Sequence, residues 1–195
     1  TSEPKFVVAP ISKYAPEVRE VGRDSAIQQS FLAYAPGFKG GVSVAVGDLN
    51  GDGVEEIITG AGFGGGPHIR IFNSDGTSVA NFFAFETSFK GGTRVAALDI
   101  NGDGIKEIAV ASGRGRYSEV RVFSMDGSLL HRFPVLGNFR NGFSLASGDI
   151  DGDKIDEVVV GAGAGGGPHV QIYRLDGTLA YEFFAFEKDF KGGVE

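Results

Sequence analysis

The chain has 195 residues, 42% of them hydrophobic, enough to bury a core and too apolar for a disordered segment. Its formal net charge of −7 comes without a basic cluster, which argues against nucleic acid or an anionic membrane as partner. Cysteine is absent, which excludes a disulfide framework and thiolate chemistry, and no run of about 18 apolar residues is present to insert in a bilayer.

Taken in order, the chain opens with a short β-branched run, Phe6-Val7-Val8. A longer alternation follows at Val42, Val44 and Val46, with Ser43, Ala45 and Gly47 between them. That period of two is a strand signal. Ile57-Ile58-Thr59 is a second strand, and Gly60 to Gly66 reads as a tight turn rather than a phosphate loop, because a strand follows it. His68 to Phe72 is a third strand. Asp75-Gly76 marks a hairpin, repeated at Asp126-Gly127 and Asp176-Gly177. Ser78 to Phe85 is a fourth strand. No segment carries a helical period.

Between the first two strands lies Asp48-Leu49-Asn50-Gly51-Asp52-Gly53-Val54-Glu55-Glu56. It places oxygen ligands at positions 1, 3, 5 and 9 of the loop, in Asp48, Asn50, Asp52 and Glu56. The carbonyl of Val54 suits position 7. Alternate residues of a curled loop point inward, and all-oxygen, anionic ligation suits Ca²⁺ before Mg²⁺. Without a cation, converging carboxylates repel one another. The loop returns with Asp99, Asn101, Asp103, Ile105 and Glu107. It returns again with Asp149, Asp151, Asp153, Ile155 and Glu157, giving about three Ca²⁺ sites. The third copy has Lys154 where the others have Gly53 and Gly104. A bend with positive φ is costlier for lysine, so this loop is expected to bind least well or to bend differently.

First ligands at 48, 99 and 149 give steps of 99 − 48 = 51 and 149 − 99 = 50 residues. Other features keep the step: Pro16-Glu17-Val18-Arg19 aligns with Pro67-His68-Ile69-Arg70, Ser118-Glu119-Val120-Arg121 and Pro168-His169-Val170-Gln171. Four strands in about 50 residues is the size of a propeller blade. The expected fold is all-β: a single β-propeller domain or fragment over 1–195. It comprises a partial repeat, 5–41, and three complete blades, 42–92, 93–142 and 143–193. The partial repeat lacks its first strand, which leaves three readings open: an excised fragment, a larger ring, or a strand supplied by another chain. An unpaired edge invites self-association. The aromatic set Phe82, Phe83, Phe85, Phe183, Phe184 and Phe186 is expected to fill the gaps between blades.

These loops, with the β-branched strand after each and the Gly64-Gly65-Gly66-Pro67-His68 turn, resemble the FG-GAP/VCBS family of bacterial β-propeller repeats. The resemblance covers Phe6 to Val194. It implies calcium, a secreted or cell-surface location, and roles in adhesion or binding to a protein or glycan. It implies no particular ligand and no enzyme activity. The function expected is therefore a non-enzymatic, extracellular binding or assembly module. Two alternatives stand beside it: a carbohydrate-binding propeller, and the propeller part of a secreted hydrolase or lyase. Glu17, His68, Glu119 and His169 share one repeat position on a candidate binding rim. A hydrolytic site there lacks a partner Ser or Cys at a strained turn.

Overall fold

The computed structural model describes residues 6–195. Lys5, where the partial repeat 5–41 begins, and the four residues before it lie outside that range. Strands β1 (Phe6–Val8), β2 (Glu17–Val21) and β3 (Ile27–Leu32) form a three-stranded antiparallel sheet. A four-stranded sheet follows, made of β4 (Val42–Gly47), β5 (Glu56–Ala61), β6 (His68–Phe72) and β7 (Ser78–Phe83). The next holds β8 (Thr93–Leu98), β9 (Glu107–Ser112), β10 (Glu119–Phe123) and β11 (Leu129–Pro134). The last holds β12 (Phe143–Gly148), β13 (Glu157–Ala162), β14 (His169–Tyr173) and β15 (Leu179–Phe184). Each sheet is a meander whose strands pair in chain order. The protein is thus all-β, with four blade-like sheets of three or four antiparallel strands.

The registers repeat with the sequence. Gly47 opposes Glu56, Leu98 opposes Glu107 and Gly148 opposes Glu157. Each acidic loop is therefore the connection between the first two strands of a complete sheet. Every sheet also shifts register near the end of its last strand but one, between Ile71 and Phe72 in β6 and at the matching places in β2, β10 and β14. An Asp-Gly hairpin follows at once in the three complete sheets, with Asp24-Ser25 in the first, and Gly76 takes φ +82° there, which a Cβ would strain.

Consecutive sheets pack face to face, with β4 beside β8 and β8 beside β12. Alternation within each strand sorts side chains to the two faces. Ile58, Ile69 and Ile71 face the following sheet and meet Val95, Ile108, Val110 and Phe123. In the next gap Leu98, Val120 and Val122 meet Val158, Val160 and Tyr173. Full burial of such a side chain stabilises by about 1.5–3 kcal/mol. Near the outer edge one aromatic pair recurs in each gap. Phe31 meets Phe72 at 4.6 Å between ring centroids, Phe82 meets Phe123 at 4.8 Å, and Phe133 meets Tyr173 at 5.8 Å. A guanidinium spans two of the gaps: Arg70 Nη1 donates to the Ala33 carbonyl, and Arg121 Nη1 to that of Ala84. In the third gap the Leu136 N–H donates to Gln171 Oε1 instead.

The glycine-rich turn of the second sheet reaches the segment that leads into the third, where the Gly64 N–H donates to the Lys90 carbonyl at 2.8 Å, and its base packs tightly within its own sheet. The Gly62 N–H donates to the Gly41 carbonyl, and a Cβ on Gly62 would lie 2.1 Å from the Gly40 oxygen. Only glycine permits that approach of two backbones.

Three expectations need correction. The second strand runs on to Ala61, so the turn is shorter than Gly60 to Gly66, because Gly60 and Ala61 still pair with Ser43 and Val42. The fourth strand stops at Phe83, and Ala84 and Phe85 drop instead into the gap between sheets. The aromatic set does not all fill gaps. Phe82 and Phe85 do so, but Phe83 points away and is 53% exposed. Phe183, Phe184 and Phe186 lie on the last sheet and are 51%, 47% and 58% exposed. Burial at those positions comes from a neighbouring sheet.

Candidate metal centre

Each acidic loop is organised by its first aspartate, which caps the backbone turn. Asp48 Oδ1 accepts from the N–H groups of Asn50 and Gly51 at 3.3 and 2.7 Å, and Oδ2 from Gly53 at 2.8 Å. Asp99 does the same with Asn101, Gly102 and Gly104. Asp149 accepts from Gly152 at 2.6 Å and Lys154 at 3.0 Å. Position 5 supports position 7 by the same device. Asp52, Asp103 and Asp153 each accept from the N–H of Val54, Ile105 and Ile155 at 2.8 Å.

The glutamate at position 9 opens the second strand and closes the loop. Glu56, Glu107 and Glu157 accept the N–H of Leu49, Ile100 and Ile150 at 2.9, 3.2 and 2.9 Å. Asn50 adds its amide to Glu56 Oε1 at 3.1 Å, and Asn101 turns its amide to Asp103 Oδ2 at 2.9 Å. In the third loop, Asp149, Asp151 and Asp153 each present a carboxylate oxygen within 4.8 Å of the others, and all three side chains are exposed. This is an aspartate cluster able to hold a metal ion. The first two loops have asparagine at position 3, with the same backbone frame.

The electrostatics divide by depth. Backbone N–H groups, Gly53 foremost, hold the Asp48 carboxyl below its ordinary range. Burial pulls Asp99 upward, but the N–H groups of Gly104, Asn101 and Gly102 and the Lys106 ammonium outweigh it, so Asp99 is also lowered. Glu56 and Glu107 go the other way. Burial pushes both up, the Leu49 and Ile100 N–H groups pull back, and the neighbouring aspartates add to the rise. A cation among these groups would relieve the repulsion from the aspartates that adds to the effect of burial.

Lys154 does not bend its loop differently. Its φ of +75° sits beside +81° at Gly53 and +87° at Gly104, so the lysine accepts the left-handed backbone its neighbours leave to glycine. Lys154→Gly is expected to stabilise the metal-free chain by about 0.5–1 kcal/mol, net of the added freedom of the unfolded state. Urea denaturation reads this directly, and a loss of stability would mean that the lysine stem's packing outweighs the strain.

One set of contacts escaped the sequence reading. Position 8 of the second and third loops reaches back to position 1 of the loop before it. The Lys106 N–H donates to the Asp48 carbonyl at 2.8 Å, and the Asp156 N–H to that of Asp99 at 2.8 Å. Asp156 Oδ2 also accepts from Asp99 N at 2.7 Å and Lys106 Nζ at 3.1 Å. The only trace in the sequence is the change of charge at position 8, from Glu55 to Lys106 to Asp156.

The shared rim position is occupied by local pairs. His68 stacks on Phe83 at 4.8 Å and meets Asn81 at 3.2 Å. His169 stacks on Phe184 at 5.0 Å and meets Glu182 at 2.9 Å. Glu17 accepts from Arg19, and Glu119 from Arg116 and Arg121. Each of the four is thus engaged within its own repeat or at its edge.

Repeated antiparallel sheets, three of them with an acidic loop between their first two strands, define a class of all-β repeat protein. A family model described as the FG-GAP-like repeat matches residues 48–110 and again 99–160. Together these ranges cover more than half of the chain, and the chain belongs to the FG-GAP-like repeat family. Among solved structures, it is similar to a protein of unknown function from Bacteroides caccae. That match has a TM-score of 0.60 and 17% identity, over 93% of this chain and 58% of that one. A second match is the V. cholerae biofilm matrix protein Bap1, with a TM-score of 0.47 and 20% identity, over 92% of this chain and 35% of that one. The chain therefore spans less than two thirds of either structure.

Proposed function

We propose that this chain is a calcium-stapled β-propeller module, or part of one, that works outside the cell in binding or assembly rather than in catalysis. The observation that carries the reading is the convergence of Asp149, Asp151 and Asp153 in a loop whose backbone frame occurs three times. In this reading residues 1–195 belong to one domain, with repeats 5–41, 42–92, 93–142 and 143–193. Ca²⁺ would be held by the side chains at positions 1, 3, 5 and 9 and the carbonyls of Val54, Ile105 and Ile155. Bound there, it would neutralise the loop and fasten the first strand of a sheet to the second.

The donor set supports calcium on chemical grounds. It is all oxygen, flexible and more than six-fold in capacity, whereas Mg²⁺ demands a near-ideal octahedron. Shallow loops with amide ligands suit the weak end of calcium affinities, about 10⁻⁴–10⁻³ M, which are filled outside cells. The glutamates lifted by burial support it too, since a cation favours their charged form. At a hundredfold excess over Kd, one site contributes about 2.7 kcal/mol. Calorimetric titration with Ca²⁺ and melting in Ca²⁺ against EGTA test the reading together. Binding heat and a melting temperature lowered by chelation are expected. An unchanged melting temperature would remove it.

A further inference from the structure

The third sheet departs from its neighbours in one turn. The second and fourth sheets carry Gly65-Gly66-Pro67 and Gly166-Gly167-Pro168 there, and the third carries Arg116-Tyr117-Ser118. A Cβ on Gly65 would lie 2.6 Å from the Phe38 ring, and one on Gly166 2.8 Å from that of Phe139. Gly66 and Gly167 also take φ of +77° and +79°, a left-handed backbone that Tyr117 does not adopt. The third turn is therefore bent to carry two large side chains. A further departure lies close by: Lys39, Lys90 and Lys191 share a position that is Arg140 in this repeat.

These departures meet in one cleft, at the end of the strands opposite the acidic loops. Its volume is about 410 Å³, and its walls include Glu86, Ser88, Arg116, Tyr117, Glu119 and Arg140, all from the second and third sheets. Arg116 Nη1 donates to Glu86 Oε2 at 2.7 Å and Nη2 to Glu119 Oε2 at 2.8 Å, with the guanidinium 4.4 Å over the Phe85 ring. Arg121 Nε holds the other Glu119 oxygen at 2.7 Å. Two carboxylates and two guanidinium groups thus fix one another and cancel in charge. Arg140 is the surplus cation. It lies 3.6 Å over the Tyr117 ring, and among the described residues no acceptor meets its guanidinium. Tyr117 is 53% exposed, so the ring adds little to the core.

We propose that this cleft binds a sugar that bears a carboxylate, such as a uronic acid unit of an acidic glycan. A planar guanidinium pairs with a carboxylate through two parallel hydrogen bonds, and stacking on Tyr117 holds Arg140 ready for that pairing. Glu86 and Glu119 keep lone pairs that accept from sugar hydroxyls, and Ser88 can donate or accept. The uncovered part of the Tyr117 ring offers a flat apolar surface to the C–H face of the sugar. An acidic peptide would instead bring its carboxylates against Glu86 and Glu119 with few hydroxyl donors to satisfy them. A bare anion would use Arg140 alone. The proposal gives the binding module a ligand class; it rests on that reading for the module's role and not on calcium.

The test is a titration of the whole ¹⁵N-labelled chain, followed by amide shifts in EGTA. The probes are glucuronate and trigalacturonate, against glucose, acetate and a short aspartate-rich peptide. Saturable shifts are expected at Gly115, Tyr117 and Glu119 with the two uronates, and at least tenfold weaker binding of the other three. Arg140→Gln and Tyr117→Ala change exposed side chains, and each is expected to weaken uronate binding at least tenfold. Arg140→Lys restores the residue of the other repeats and is expected to weaken it severalfold, because lysine lacks the fork. Should Tyr117→Ala misfold, the two Arg140 variants decide. No saturable shift with either uronate would overturn the proposal, as would acetate, glucose or the peptide binding as tightly as glucuronate, or wild-type affinity in Arg140→Gln. Because the titration is run without calcium, it can fail while chelation still lowers the melting temperature, and the reverse.

Discussion

Asp99→Ala is expected to destabilise the chain in chelator and to destabilise it further in calcium. Asp99 is 6% exposed, the most enclosed of the three first aspartates, because Asp156 of the next loop, paired with Lys106 of its own, closes over it. Its carboxylate organises three backbone N–H groups, those of Asn101, Gly102 and Gly104. Leaving such donors without their acceptor costs about 1–3 kcal/mol. That part is lost whether or not metal is present. The second part is the cation's. If the site no longer binds, the variant forfeits a further contribution of about 2.7 kcal/mol at a hundredfold excess over Kd. Chemical denaturation of both proteins, each with Ca²⁺ and with EGTA, separates the two parts. Equal losses in the two conditions would count against Asp99 as a ligand.

Phe133→Ala should cost about 3–5 kcal/mol, whereas Phe183→Ala, at the same place in the next repeat, should cost the monomer well under half as much. The sequence chemistry of the two substitutions is identical. Phe133 is 5% exposed, wedged against Tyr173 and the Gly177 hairpin, so truncation leaves a cavity. Phe183 is 51% exposed and leaves none. Thermal melting at low protein concentration gives the comparison. Similar losses for the two variants would mean that the face of the last sheet is covered within the monomer.

Much of this architecture was legible in the sequence because it is periodic at two scales. Alternation placed Val42, Val44 and Val46 on one strand, and a step of about 50 residues made each strand recur. The loop frame was legible for a related reason. Aspartate caps, glycine bends and a closing glutamate are local, and their spacing is set by the backbone itself. What stayed hidden depends on neighbours. Phe82 and Phe183 read alike, and only the position of a sheet in the series decides which is covered. The end of β7 at Phe83 is similar, since Ala84 and Phe85 leave the ladder to enter a gap that sequence alignment does not describe. Lys154 misled in the opposite sense. Its residue type argues for a different bend, but a frame set by Asp149 and Glu157 holds the lysine where glycine would sit.

The backward reach of Lys106 and Asp156 gives the acidic loops a direction. Asp48 and Asp99 each lend a carbonyl to the loop that follows, so neither of their loops can rearrange without disturbing a hydrogen bond of the next. Such a row behaves as a one-dimensional array with nearest-neighbour coupling. The middle loop is tied on both sides, to the loop before it through Lys106 and to the loop after it through Asp99. If the proposed calcium sites fill, a change in one loop would bear on the backbone of the next.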